Sequence, residues 1–334
     1  MIYIDGSHGE GGGQIIRTAL ALSALTGQQF KITNIRKGRQ SPGLKHQHLT
    51  AVTAVSDICN AEVMGAEVGS TELTFIPGTI LPGKYRWDIG TAGSITLVLQ
   101  ALLPVALHSQ KEFEFSINGG TNVSWSPPVE HFQHVFCDYL KRMGAKVDFS
   151  ILKYGFYPKG GGLVKTQISP SQLKSLYITE RGELEKIDVW SIASQDLKKA
   201  RVAERQVDGF KKILSEDLGK IHELYVSSDS IGSCIHAHAH FENCKLGVES
   251  LGEKNNPAES IGKSCAEKLK KELNTESTVD ENMLDQILPY LAIYGGSVKF
   301  AALTEHAKTN MWIIEKFLPV KFDTEANTMS CHKK

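Results

Sequence analysis

One histidine near the C-terminus stands where it could act as a nucleophile. His306 follows a run that reads as a strand, residues 298–303, and precedes an amphipathic run, residues 311–317, that Pro319 stops. The intervening residues 304–310 read as a short polar loop, which puts His306 at or just before a helix N-terminus. The positive end of the helix dipole disfavours a protonated imidazole there and attracts phosphate. A neutral imidazole beside a phosphate can attack phosphorus. Taken by itself, the same histidine reads more simply as a surface residue at a helix end.

Other residue groups offer related chemistry. Gly9-Glu10-Gly11-Gly12-Gly13 precedes a helix predicted over residues 14–25, and glycines at a helix start let the backbone approach a phosphate closely. The loop matches neither a Walker loop nor the dinucleotide fingerprint, and it serves equally well as a tight turn. Glu10 adds a carboxylate that could hold Mg²⁺ or Mn²⁺ against a phosphate. Arg17, one turn into the helix, could clamp the same phosphate or form a surface ion pair. Between Lys31 and His48 lie Lys31, Arg36, Lys37, Arg39, Lys45, His46 and His48 with no acidic residue, the clearest basic patch in a chain of 37 basic and 37 acidic residues. Arginines on such a loop suit bidentate phosphate contacts. Gly155 to Gly162 contains a second glycine cluster, which a hairpin corner explains without a ligand. Strict alternation places His236, His238 and His240 on one strand face. Imidazoles there could bind zinc or nickel, but an exposed strand face is the simpler expectation, and the three are left outside the active site.

The elements that must position these groups repeat. Predicted strands, helices and glycine or proline loops over residues 1–78 recur in the same order over residues 85–168, roughly 80 residues later. The helices of these units are expected at 14–25, 44–59, 95–107 and 129–143, and the paired strands at 62–68, 72–76, 146–152 and 163–168. A third unit begins with a strand at 176–179, breaks off, and resumes with a helix at 279–294 and the His306 segment. The fold class expected is therefore α/β (α+β). Three βαβαββ units form a large domain, residues 1–181 and 278–334, and a small α+β domain, residues 182–277, is inserted in the third. Within the insert, strands are predicted at 186–193, 223–227 and 233–242, and helices at 203–216 and 257–273.

Composition narrows the function classes. Of the 334 residues, 41% are hydrophobic and 22% charged, as in globular proteins, and zero net charge argues against indiscriminate nucleic-acid coating. Six scattered cysteines without a C-x-x-C pair argue against a zinc ribbon or disulfide framework and for a reducing compartment. The first residues lack the basic and apolar regions of a signal peptide, and no apolar run approaches a membrane span. A cytoplasmic protein without membrane contact is expected.

Read together, the motifs resemble those of the RNA 3′-terminal phosphate cyclase family over essentially the whole chain. The resemblance rests on Asp5-Gly6 with Gly9-Glu10-Gly11-Gly12-Gly13-Gln14, on Arg36-x-Gly38-Arg39-x-x-Pro42-Gly43, and on Gln47-His48-Leu49-Thr50. It rests also on Gly90-x-Ala92-Gly93-Ser94 with Gln100, on Gly155-x-x-Pro158-x-Gly160-Gly161-Gly162, and on Asp285-Gln286 followed by His306. One departure is Tyr154, where the family signature opens with Arg or His. The resemblance implies a ligase with nucleotidyl-transfer chemistry. ATP adenylylates a histidine, AMP passes to an RNA 3′-phosphate, and the 2′-hydroxyl closes a 2′,3′-cyclic phosphate and expels AMP. His306 matches the nucleophile and Glu10 the ligand of Mg²⁺ or Mn²⁺. Gln100 and Asn282, Met283, Leu284, Asp285 and Gln286 match the ATP site. Arg17, Arg39, Gln47 and His48 would contact phosphates of ATP or of RNA with a 3′-terminal phosphate. The insert matches a thioredoxin-like small domain. The alternative is a non-catalytic cyclase-like RNA-binding factor of ribosome assembly, but such relatives lack the histidine.

Overall fold

The computed structural model describes residues 1–333, and its strands gather into small mixed sheets covered by helices. In the first, β1 (Ile2–Asp5) and β2 (Phe30–Thr33) run parallel across the crossover helix α1 (Gly13–Thr26). After α2 (His46–Cys59), β3 (Glu62–Met64) and β4 (Leu73–Ile76) complete the order β1-β2-β4-β3, both added pairings antiparallel. In the second, β5 (Gly83–Asp88) runs parallel to β6 (Phe113–Gly119) across α3 (Ile95–His108). The helical segment that follows consists of α4 (Val129–His131), a π-helical stretch (Phe132–Phe136) and α5 (Cys137–Arg142). It leads to β7 (Lys146–Lys153) and β8 (Gly162–Ser169) in the order β5-β6-β8-β7.

β9 (Leu176–Ile178) is followed by a different sheet. There β10 (Leu184–Ser194) pairs in parallel with β11 (Leu218–Val226) and antiparallel with β12 (Ser233–Phe241), which pairs with β13 (Lys245–Leu251). Helices α6 (Val202–Lys211) and α7 (Ala258–Leu273) pack together and against this sheet. The chain then returns through α8 (Glu281–Tyr294), β14 (Gly296–Lys299), α9 (Glu305–Phe317), β15 (Val320–Glu325) and β16 (Thr328–Lys333). β14 lies parallel to β9, and the order is β9-β14-β16-β15.

The physical basis is ordinary amphipathic burial. Alternate residues of β6 point into the core, as a half-covered strand requires. α3 is apolar around nearly its whole circumference because α1 and α2 both pack on it. α1 is the hub, touching α2, α3 and α9, so its N-terminus opens where three helices meet. No helix among the described residues is long and apolar enough to cross a membrane.

Several expectations are corrected. α9 starts at Glu305, not near Met311, because the Thr304 hydroxyl accepts the Ala307 N–H at 3.0 Å and caps the helix there. His306 thus sits inside the first turn. The helix expected over 129–143 contains the π-helical stretch, and β13 and the β15–β16 hairpin went unread. The larger correction concerns β12. It is an interior strand with α6 and α7 on one side and α4 on the other, so His236 and His238 are buried rather than exposed.

Candidate active site

The glycine loop between β1 and α1 is held by contacts that leave no room for side chains. Gly9 adopts φ +57°, and a Cβ there would lie 2.3 Å from Thr309 Oγ1 on α9. A Cβ on Gly13 would lie 2.1 Å from His48 Nε2 on α2. The His8 ring stacks on Trp312 of α9 at 3.8 Å, which pins the loop from its other side. α1 starts without a side-chain cap, so its first amides remain donors for whatever enters beside the loop.

His306 is held from both ring nitrogens. Nε2 lies 3.0 Å from Glu10 Oε2, and Nδ1 lies 3.1 Å from Gln14 Oε1. The Gln14 amide has its orientation set by its other end, where Nε2 donates to Asp285 Oδ2 at 3.1 Å. Its oxygen therefore faces His306, the Nδ1–H donates to it, and Nε2 is the nitrogen turned toward Glu10. Asn310, one turn beyond His306, donates to the Asp285 carbonyl at 2.7 Å and accepts from the Thr18 hydroxyl at 2.7 Å. This buried network ties α1, α8 and α9 together behind the imidazole. Burial pushes the Asp285 carboxyl upward, opposed by His306, Arg17 and the Gln14 hydrogen bond.

The cations divide into builders and free donors. Arg36 donates to the carbonyls of Ser41 and Gly43 at 2.8 and 2.9 Å, which shapes its own loop. Lys31 of β2 pairs with Glu72, the residue before β4. Arg39 reaches the glycine loop, 3.4 Å from Glu10 Oε2. Arg17 has no hydrogen bond or ion pair among the described residues, and burial pushes its guanidinium down to about 10 against the pull of Asp285. His48 accepts the Lys45 N–H on Nδ1 at 3.1 Å. Burial, with Arg17, Arg36 and Lys45 nearby, pushes it down to about 3, so the ring is neutral and its Nε2–H faces Gly13. Gln47 accepts the Ser94 N–H at 3.0 Å and joins α2 to the start of α3.

Gln14, Arg17, Asp285 and His306, with Gln100 and Asn282, form the inner side of one cleft of about 710 Å³, whereas Glu10, Arg39, Gln47 and His48 are not among the residues that line it. Its outer side carries Trp125, Tyr157 and Ile231, with Trp125 98% exposed in a left-handed backbone conformation. Of the run 282–286, only Asn282 and Asp285 reach this cleft. Met283 and Leu284 are buried in the core, and Gln286 donates to the Asn282 carbonyl beside a smaller cavity that Arg17 and Tyr290 also line. Those three do not face the main cleft, because a helix turns successive side chains to different sides. The sequence reading missed Gln14 as a site residue, although its spacing of three from Arg17 puts both on one helix face. Tyr154 donates to Glu130, whose carboxylate also accepts from Asn122 at 2.8 Å, and burial pushes the Glu130 carboxyl up. A neutral phenol therefore stands where the signature would place a cation.

Comparison with known proteins identifies the family. The family model described as RNA 3′-terminal phosphate cyclase matches residues 8–324. A Pyrococcus furiosus protein named RNA 3′-terminal phosphate cyclase is 45% identical over 329 residues, 97% of this chain and 95% of that relative. Proteins of the same name from Methanopyrus kandleri, 43% identical over 335 residues, and Methanosarcina barkeri, 42% over 328, cover 97% of this chain and 95% and 97% of their own lengths. With both the model and these relatives spanning nearly its whole length, the chain belongs to the RNA 3′-terminal phosphate cyclase family.

Proposed function

We propose that this protein is an ATP-dependent RNA 3′-terminal phosphate cyclase that works through a covalent His306–AMP adduct. The observation that carries the reading is the placement of His306. Its Nδ1–H is engaged by Gln14, and its Nε2 faces Glu10 at the edge of a cleft that also holds the unpaired Arg17 guanidinium. Nε2 attacks the α-phosphorus of ATP; the N–P bond forms as the bond to the β-phosphate oxygen breaks and pyrophosphate leaves. An oxygen of the RNA 3′-phosphate then takes the AMP, breaking the N–P bond. In the last step the 2′-hydroxyl oxygen attacks the activated phosphorus, gives up its proton and expels AMP. The requirement for a 2′-hydroxyl restricts the reaction to RNA ends.

The chain's own groups suit these steps. Gln14 holds the imidazole in the tautomer that leaves Nε2 the nucleophile, and Asp285 and Asn310 fix Gln14 in turn. Arg17, Arg39, the His48 Nε2–H and the open amides of α1 are donors for anionic phosphates. Glu10 fits a hard divalent cation, Mg²⁺ or Mn²⁺, since Arg39 is the one side-chain donor to its carboxylate among the described residues, and the unprotonated Nε2 of His306 faces it across a gap that a cation would bridge. Such an ion would offset phosphate charge during transfer. Gln100 and Asn282 offer amides on the cleft wall for the nucleotide, and Trp125 and Tyr157 offer aromatic faces at the mouth on which RNA bases could stack. The shared strand order of the sheets β1-β2-β4-β3, β5-β6-β8-β7 and β9-β14-β16-β15 supports reading them as three copies of one unit. Residues 182–277 are then an inserted, thioredoxin-like domain, and the enzyme acts in the cytoplasm.

The test is incubation with α-labelled ATP and Mg²⁺ or Mn²⁺. The expected result is a protein-bound label, acid-labile and alkali-stable, absent from His306→Ala. An active-metal preparation that forms no adduct, or one that persists in His306→Ala, refutes the mechanism; a labelled RNA 3′-phosphate should also become phosphatase-resistant.

A further inference from the structure

The three alternating histidines of β12 take no part in the cyclase chemistry, yet their surroundings are not those of an idle strand face. Half of the chain's 12 histidines meet here. On β12, His236, His238 and His240 face Trp190, Asp188 and Lys186 of β10 in direct register. His222 of β11 stacks on Trp190, and His134 from the π-helical stretch stacks on both Trp190 and His238. His131 contacts His236 edge to face. π-helical turns are rare and concentrate at functional sites, and this one delivers a ring to the cluster.

The ligand atoms converge on one carboxylate oxygen. Asp188 is anchored through Oδ1, which accepts the Lys220 N–H at 2.6 Å. Its Oδ2 lies 2.9 Å from His240 Nε2 and 4.0 Å from His238 Nε2, and one donor atom from each residue falls within 4.8 Å of the others. Apart from this approach to Asp188, the buried His240 Nε2 has no hydrogen-bond partner among the described residues. Two ligands about 2.1 Å from one tetrahedral cation would stand about 3.4 Å apart, between the 2.9 and 4.0 Å seen here. His238 has its outer support as well, since Nδ1 lies 3.3 Å from His236 Nε2 and can donate to it, fixing Nε2 as the free nitrogen. Two cations border the site. Lys245 is paired with Asp138 at 2.9 Å, whereas Lys186 lies 3.0 Å from Asp188 Oδ2 on a side chain 39% exposed and free to swing away.

We propose that Asp188, His238 and His240 form a binding site for a zinc-class divalent transition metal, separate from the catalytic cleft, with Lys186 as the counter-ion that the metal displaces. Two imidazoles and one carboxylate are the donors that zinc, cobalt and nickel accept, and three protein ligands leave a coordination position open.

The test is calorimetric titration of the full-length protein with Zn²⁺, in a Glu10→Gln background that removes the glycine-loop carboxylate. Binding of one equivalent is expected, weakened about tenfold or more by His240→Ala. Lys186→Met should tighten it, because the competing ammonium is gone, a gain that no loss of folding could produce. With Co²⁺ in place of Zn²⁺, the visible spectrum should show a protein-bound ion in the parent and lose it in His240→Ala. No saturable Zn²⁺ binding, equal binding by His240→Ala, or no tightening by Lys186→Met overturns the proposal.

Discussion

Replacing Gln14 tests the arrangement around His306 most directly. Gln14→Leu keeps a side chain of similar length but removes the acceptor for His306 Nδ1–H and the donor to Asp285, both at 3.1 Å. Each is a hydrogen bond to an ionisable group, of the kind that contributes about 1.5–3 kcal/mol. If one such contribution is lost from the transition state for attack on ATP, adenylylation slows by about 10- to 150-fold. Gln14→Glu separates hydrogen bonding from simple shape. A carboxylate can still accept from Nδ1, but it meets the buried Asp285 carboxylate and needs a shared proton. Its defect should therefore shrink as pH falls, while that of Gln14→Leu stays. The assay is single-turnover formation of the alkali-stable adduct from α-labelled ATP between about pH 5 and 9, with Thr18 and Asn310 intact to hold the helices. A Gln14→Leu rate within about threefold of the parent would remove Gln14 from any positioning role.

Two further outcomes follow from the same site. The folded His48 is pushed down to about 3 from its ordinary 6.5, so the folded state binds fewer protons than the unfolded chain between those values. Stability is full above pH 6.5 and is lost as pH falls toward 3, by about 2 kcal/mol at pH 5 for this one group. His48→Asn keeps an acceptor for the Lys45 N–H and should flatten the dependence of denaturation midpoint on pH; an unchanged slope would assign it to other residues. Trp125→Ala should raise KM for RNA 3′-phosphate by about 5- to 100-fold if a base stacks there, while adduct formation from ATP alone is unaffected. Loss of adduct formation instead would place the nucleotide, not RNA, against this ring.

Local signals in the sequence were enough for much of the molecule. Glycine spacing, helical periodicity and the Pro319 stop located α1, α2, α3 and α9 and put His306 near a helix start, because each signal acts within one turn of backbone. The Thr304 cap was legible too but unread, and it moved the helix start by two turns. The side of a helix that faces a cleft was not legible. Residues 282–286 form one motif, yet Asn282 and Asp285 line the cleft while Met283 and Leu284 enter the core, because the packing of α8 on α9 chose its orientation.

The alternation of His236, His238 and His240 fixed a shared face, a consequence of strand geometry alone. Burial of that face came from α4 and from the neighbouring strands, which no periodicity within β12 encodes. The same division holds at His306, the proposed nucleophile. By itself the sequence determined that His306 would stand at a helix N-terminus; only the tertiary structure brought Glu10, Gln14 and Asp285 to it, since the hydrogen bonds that orient the ring join residues up to 292 positions apart.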